Sequence, residues 1–500
     1  MAWNRGLCMQ FAFNLSADRK LSLQNEVFER IRTMILDGQL RPGDSLPATR
    51  IMSDQLQVSR NTISLAYERL RSEGYLETRR SVGTFVSSQL PEAGLNAKLG
   101  SASAAPERTQ SSFAGAIRPV RAQSLMNPHH DRLMVDFWVG RPDPRSFPTK
   151  LWSHLIAKRL LYAGANLTDY RQPWGQLELR QEIAKHLRPA RGIIADPDDI
   201  MIIGGCQDGL NLVGRLLLRP GTPAVVERPC YQGAAYLFES LHATLFPVPV
   251  DAWGLNTMQL PDVSNAVVYV TPSHHYPLGV TLSLERRLEL LTWASRTQSY
   301  VVEDDYDSDF RFEGSPITAL KGLDRFDRVI YLGTFSKCMG AGLRLGYAVV
   351  PTAMREAARN MKALMNNGQP WLEQAAMADF MKSGHYVSHL RRIRRSYMAK
   401  RECLLAALSE HFGSCTVLGD PAGMHLAWHL PESLPLASKI EAAALKEGVG
   451  VYTPTSGCST YLGEEGDSDR VLVMGFSSLT EKEIKLGIGR LAASIHGLNS

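Results

Sequence analysis

The residues that most constrain this chain lie between positions 301 and 347, where one apolar run ends in clustered carboxylates and another ends in a lysine. Tyr300-Val301-Val302 has the composition of a short buried strand and leads into Glu303-Asp304-Asp305-Tyr306-Asp307. Val329-Ile330-Tyr331-Leu332-Gly333 predicts a second strand, which delivers Thr334-Phe335-Ser336-Lys337, with Arg344 beyond a glycine-broken loop. Open α/β sheets keep their ligands at the carboxyl ends of the strands. The pattern therefore predicts an α/β fold with a polar site at two strand ends.

A lysine amine, a carboxylate, a phenol and an arginine in this arrangement suit pyridoxal 5'-phosphate, whose aldehyde forms a Schiff base with a lysine. Lys337 is the candidate for that catalytic bond, and Asp304 would keep the ring nitrogen protonated. Tyr306 would bond the ring hydroxyl, while Thr334, Ser336 and Arg344 would surround the phosphate. A Ser-Lys pair after a strand is by itself usually a surface lysine. The weight here comes from four suitable residue types in register.

Residues 303–310, Gly333-Thr334-Phe335-Ser336-Lys337 and Gly342-Leu343-Arg344-Leu345-Gly346-Tyr347 resemble signature blocks of fold-type I aminotransferases. They are closer still to those of the MocR family of GntR-type transcription regulators. The resemblance implies a mixed, mostly parallel large sheet over about residues 150–350 and a small α+β part over about 351–500. It also demands a winged helix at the other end of the chain.

That end meets the demand. Val27, Ile31, Met34 and Ile35 recur at helical spacing, and Arg41-Pro42-Gly43-Asp44 predicts a turn before a second helix, with Thr49 as its cap. A third helix starts near Ser59, and residues 75–86 alternate as a hairpin with its tip at 79–83. Ser59-Arg60-Asn61-Thr62 then opens a recognition helix, where short polar side chains allow close approach to base edges. Arg50, Arg79, Arg80 and the small Gly83 are candidates for phosphate clamps and a wing tip. The order of blocks over residues 20–87 resembles the GntR winged helix, which implies double-stranded promoter DNA as partner.

Residues 88–132 lack periodicity and are rich in Ser, Ala, Gly and Pro, which predicts a passive linker before a domain over 133–500. Within that domain Gly204-Gly205-Cys206-Gln207 follows the strand Ile200-Met201-Ile202-Ile203 and precedes a helix expected from Leu210 to Leu218. A glycine pair there is a phosphate cradle, and the resemblance assigns Gly205, Cys206 and Gln207 to the phosphate. It further implies that Tyr231 stacks on the pyridine ring and that Tyr170 is lent to a neighbouring subunit, hence a homodimer. His275, in Ser273-His274-His275-Tyr276, is the candidate for the ring-hydroxyl neighbourhood; the two histidines look like a metal pair, but no third ligand is evident, so no metal is expected. Arg470 resembles the arginine that clamps a substrate carboxylate and would bind an effector.

The 500 residues leave room for two or more domains, and 44% hydrophobic with 21% charged residues is ordinary for a soluble protein. A net charge of +5 does not by itself announce nucleic acid. Seven cysteines without paired spacing argue for a reduced, cytoplasmic setting, and no apolar run is long enough to span a membrane. The expected function is a pyridoxal-phosphate-dependent transcription regulator that senses an amine, an amino acid or the vitamer itself. The alternative is an aminotransferase with an incidental winged helix.

Overall fold

The structure is a computed structural model that describes residues 22–79, 82–90, 120–124, 127, 129, 132–314, 317–419, 421–462 and 469–499. The chain separates into two compact units, Met1–Arg118 and Pro119–Ser500. Arg80, a candidate DNA contact, lies outside the described residues.

The first unit contains α1 (Leu23–Leu36), β1 (Ser45–Leu46), α2 (Thr49–Leu56), α3 (Arg60–Ser72), β2 (Leu76–Arg79) and β3 (Gly83–Val86), with the strands in order β1-β3-β2. The helical periodicity of α1 turns Val27, Phe28, Ile31 and Ile35 onto Ile63, Ala66, Tyr67 and Leu70 of α3 and Met52 of α2. The Ser59 side chain accepts from the Thr62 amide at 3.1 Å and caps α3. A cap of this type contributes about 1 kcal/mol. Thr49 does not cap α2: Ala48 holds that position, and the Thr49 hydroxyl instead accepts from Arg60 Nε at 3.3 Å.

The strands of the second unit are β4 (Val135–Asp136), β5 (Ile200–Ile203), β6 (Pro223–Arg228), β7 (Cys230–Tyr231), β8 (Thr244–Asp251), β9 (Gly254–Leu255), β10 (Val267–Val270), β11 (Tyr300–Asp305), β12 (Val329–Thr334), β13 (Gly346–Val349), β14 (Thr416–Leu418), β15 (His425–His429), β16 (Val449–Gly450), β17 (Ser459–Thr460) and β18 (Val471–Gly475). Eight of them form one sheet in the order β5-β13-β12-β11-β10-β6-β8-β9. Its centre, from β12 through β11, β10 and β6 to β8, is parallel, and both flanks are antiparallel. Alternation along the central strands sends Ala224, Val226, Val267, Tyr269 and Val302 into one apolar cluster and Val225, Val268, Val270 and Val301 into another. Both faces are covered, which is why these strands read as continuous apolar runs. The C-terminal part adds an antiparallel sheet β14-β15-β18 and the helices His385–Phe412, Ala437–Lys446 and Glu481–Asn499.

Two further expectations change. The helix expected from Leu210 begins at Cys206, so its first turn abuts the glycine pair directly. The far end of the expected linker is not free: Arg121 lies over the Tyr236 ring and pairs with Glu239 at 2.6 Å, and Asn127 is buried against Tyr452. Among the described residues no helix is long and apolar enough to cross a membrane.

Candidate functional site

Three consecutive carboxylates end β11, and the period of two in a strand separates them. Glu303 and Asp305 face one side, where Glu303 accepts from the Leu320 and Lys321 amides at 2.8 and 2.9 Å and Asp305 lies 2.7 Å from Arg191. Asp304 faces the other side, with Tyr269, whose hydroxyl donates to its Oδ2 at 2.8 Å. Its Oδ1 is buried and has no hydrogen-bond partner. Burial raises the Asp304 pKa against hydrogen bonds that favour its charged form. An unmet buried carboxylate oxygen costs free energy and calls for a donor.

Lys337 supplies the reactive group on the same side. At the end of β12 the Thr334 hydroxyl accepts from the Ser336 amide at 3.1 Å and lies 2.9 Å from the Ser336 hydroxyl, which folds the chain into a tight turn. Phe335 enters the core, and Lys337 Nζ donates to the Gly140 carbonyl at 3.0 Å. Gly140 has φ +78°, which favours glycine, and a Cβ there would lie 2.7 Å from Nζ and push the amine aside. Burial lowers the Lys337 pKa while Asp307, Cys206 and Asp304 pull it back. A larger neutral fraction makes the amine a better nucleophile.

The cradle is next to these groups. Gly205, at φ +98°, caps the helix Cys206–Leu217, and a Cβ on it would lie 3.5 Å from the Arg344 guanidinium. Arg344 adopts the left-handed φ of +50°, uncommon for a side-chain-bearing residue, and this aims its cation at the helix end. First-turn amides without intrahelical acceptors, a cation and the Thr334 and Ser336 hydroxyls make a site for a phosphate. The Gly204 amide is already used by Asp208 at 2.8 Å, and the Gln207 side chain donates to Gly233 at 3.0 Å. Cys206 is half-buried beside Asp304, and burial holds its thiol well above the usual range.

Aromatic rings close the pocket. Trp138, Tyr276 and Tyr452 form a cluster against which Tyr231 and Tyr306 pack. The Tyr231 hydroxyl donates to Gln123 at 2.7 Å, and the Tyr306 hydroxyl lies 3.3 Å from His274 Nδ1.

Two expected residues are elsewhere. His275 turns away: its Nε2 donates to the Pro229 carbonyl at 3.1 Å beside Glu227, and burial lowers its pKa to about 3, so it is a neutral structural residue. The histidine beside Tyr306 is His274. Arg470 spends its guanidinium on the Leu434 carbonyl at 2.8 Å, not on a ligand pocket. Tyr170, expected at a neighbouring subunit's site, is 89% exposed on its own chain. Of the two adjacent histidines, His274 has companions that the sequence did not suggest, Asp307 and His425. Gly140, Trp138 and His425 come from segments far from the lysine in sequence, and Gln123 comes from a stretch without periodicity.

In the winged helix, Arg50, Ser59, Arg60, Asn61 and Gly83 are exposed and Thr62 is half-buried. Ser59 to Thr62 surround the N-terminus of α3. Arg79 is held on the wing by Glu77 at 2.8 Å and by the Phe85 ring at 4.6 Å.

Residues 23–86 match the model of bacterial regulatory proteins of the gntR family, and residues 143–489 match that of class I and II aminotransferases. The probable rhizopine catabolism regulatory protein MocR of Rhizobium meliloti is 32% identical over 97% of this chain and 96% of its own length. The chain belongs to the MocR-type GntR regulators. TauR, an HTH-type transcriptional regulator of Rhodobacter capsulatus, is also 32% identical, over 97% of this chain and 99% of its own. The α-aminoadipate aminotransferase LysN of Thermus thermophilus, solved with N-(5'-phosphopyridoxyl)-L-leucine, is 26% identical with a TM-score of 0.69, covering 78% of this chain and 99% of that one. Family membership accounts for the two units together: GntR-type regulators bind DNA, and the aminotransferase fold belongs to a pyridoxal-phosphate-dependent family.

Proposed function

We propose that this MocR-type regulator binds pyridoxal 5'-phosphate at Lys337 and promoter DNA through Ser59, Arg60, Asn61 and Thr62, with an amine, an amino acid or the vitamer as effector. The observation that carries this is the unmet Asp304 Oδ1, buried on the same side as a lysine whose pKa is lowered. When bound, the cofactor supplies an aldehyde to an amine and a ring that withdraws electrons. Asp304 would hold a proton at the ring nitrogen, Arg344 and the first-turn amides of Cys206 and Gln207 would take the phosphate, and Tyr231 would cover the ring. Tyr306 and Tyr276 exclude water from one side. The exposed Tyr170 is suited to a partner chain's pocket in a homodimer, and the domains would run over 20–87 and 133–500.

The intact set of Lys337, Asp304 and Arg344 also supports a second reading, an aminotransferase with an incidental winged helix. Titration of purified protein with pyridoxal phosphate distinguishes them when combined with DNA binding. A visible absorbance band is expected in wild type and is lost in Lys337→Ala. Affinity for the protein's own promoter region is expected to fall steeply with salt. Turnover of an amino donor at ordinary enzyme rates without DNA binding would select the second reading, and a colourless wild type with a free Lys337 amine by mass spectrometry would defeat both.

A further inference from the structure

His274, Asp307 and His425 are buried, and one ligating atom of each lies within 4.8 Å of the other two. The two imidazole rings are tilted at 51° with centroids 4.6 Å apart. Their protons can be assigned from their partners. His425 Nε2 lies 3.0 Å from the Pro277 carbonyl, which can only accept, so that nitrogen carries the proton and Nδ1 keeps its lone pair. His274 Nδ1 lies 2.9 Å from Asp307 Oδ2, so its proton is there and Nε2 keeps the lone pair. Both remaining nitrogens, His274 Nε2 and His425 Nδ1, are buried without a hydrogen-bond partner.

Two unmet acceptors in one buried cluster are unfavourable. A metal-ligating histidine has its other N–H held by a carboxylate or a backbone carbonyl, and here one ring has the first and the other ring the second. The rings are also fixed sterically. A Cβ at Gly423 would clash with the His274 ring, and one at Gly279 or Gly419 would crowd His274 Nε2 at about 3 Å. Imidazole nitrogens suit zinc, copper, nickel or iron, whereas magnesium and calcium require oxygen.

We propose that His274 and His425, with Asp307 orienting the first, form a site for a divalent first-row transition cation such as zinc. The site adjoins Tyr306, whose hydroxyl is 3.3 Å from His274 Nδ1, so a bound ion would stand beside the pocket that contains Lys337. The inference uses neither Lys337 nor pyridoxal phosphate, and it stands if the cofactor proposal fails.

The test is metal loading of the full chain, stripped with a chelator and given one equivalent of Zn²⁺ or Co²⁺. One ion per chain by elemental analysis is expected, with a Co²⁺ visible spectrum of nitrogen and oxygen ligation. His425→Gln, which keeps a donor for the Pro277 carbonyl, and His274→Gln should each lose the ion. Asp307→Asn should weaken binding by about 10- to 100-fold. Stoichiometry far below one in wild type overturns the proposal, as does one ion per chain retained in a folded His274→Gln/His425→Gln double variant. Where a variant fails to fold, the wild-type Co²⁺ spectrum decides: an intense thiolate charge-transfer band would place the ion on cysteine and overturn it.

Discussion

The two ends of this molecule keep their chemistry in opposite ways. In the winged helix the candidate base contacts are one short run, 59–62, whose first three residues stand exposed at a helix N-terminus over a local core. In the second unit the candidate site gathers Gly140, Gly205, Tyr231, Asp304, Lys337 and Arg344 from segments scattered over about 200 positions, and much of it is buried. Water solvates the polar groups of the first site, but the protein itself must satisfy those of the second. Substitutions should therefore separate binding from stability in the first unit and couple them in the second.

The sharpest test of that coupling after Lys337→Ala is Asp304→Asn, which keeps the shape and removes the charge. A charge-assisted hydrogen bond is worth about 1.5–3 kcal/mol, so pyridoxal phosphate affinity should fall about 10- to 100-fold in a spectroscopic titration. The cofactor-free variant should melt no lower than wild type, because a buried carboxylate oxygen without a partner is itself unfavourable. Unchanged affinity would mean that Asp304 does not meet the ring nitrogen.

The sequence reveals these two regions unequally, and for the same reason. The α3 cap, its apolar face and the wing are all short-range patterns, so Ser59 and the hairpin can be found by spacing alone. The strands of the large sheet are continuous apolar runs, and Asp304 and Lys337 stand out at their ends. What spacing cannot supply is the opposite wall. His425 reaches His274 across about 150 positions, and Gln123 reaches Tyr231 from a segment with linker composition. His275 is the expected neighbour of the ring hydroxyl, but the loop turns it to Pro229 and presents His274 to Tyr306. Arg470 has the right residue type just before a strand, yet loop carbonyls occupy it.

Arg60→Ala probes the exposed side of the comparison. Its guanidinium has one long bond, to Thr49 at 3.3 Å, so the melting temperature and the visible band should hardly move. DNA affinity should fall by about 1–3 kcal/mol if Arg60 meets a base, with relaxed specificity at one position. If it meets a phosphate, the loss is uniform across sequences and the salt slope drops by about one. A large loss of stability with DNA binding intact would break the comparison. Ser59→Ala is smaller and mixed: loss of the cap should cost about 1 kcal/mol, seen as faster amide exchange in the first turn of α3.

The last expected effect is a pH dependence of stability that arises in the second unit. Glu227 accepts from the Thr271 amide and hydroxyl at 3.0 and 2.9 Å, and burial raises its pKa from 4.5 to about 8. The folded chain thus holds a proton that the unfolded chain has already lost across that interval. Its contribution to stability is complete below pH 4.5 and is lost as pH rises towards about 8. Glu227→Gln has no such proton, so its urea midpoint should decline less than that of wild type over the same range. Parallel wild-type and Glu227→Gln curves would show that Glu227 is ionised in the folded chain, and the buried site would then be better solvated than its geometry implies.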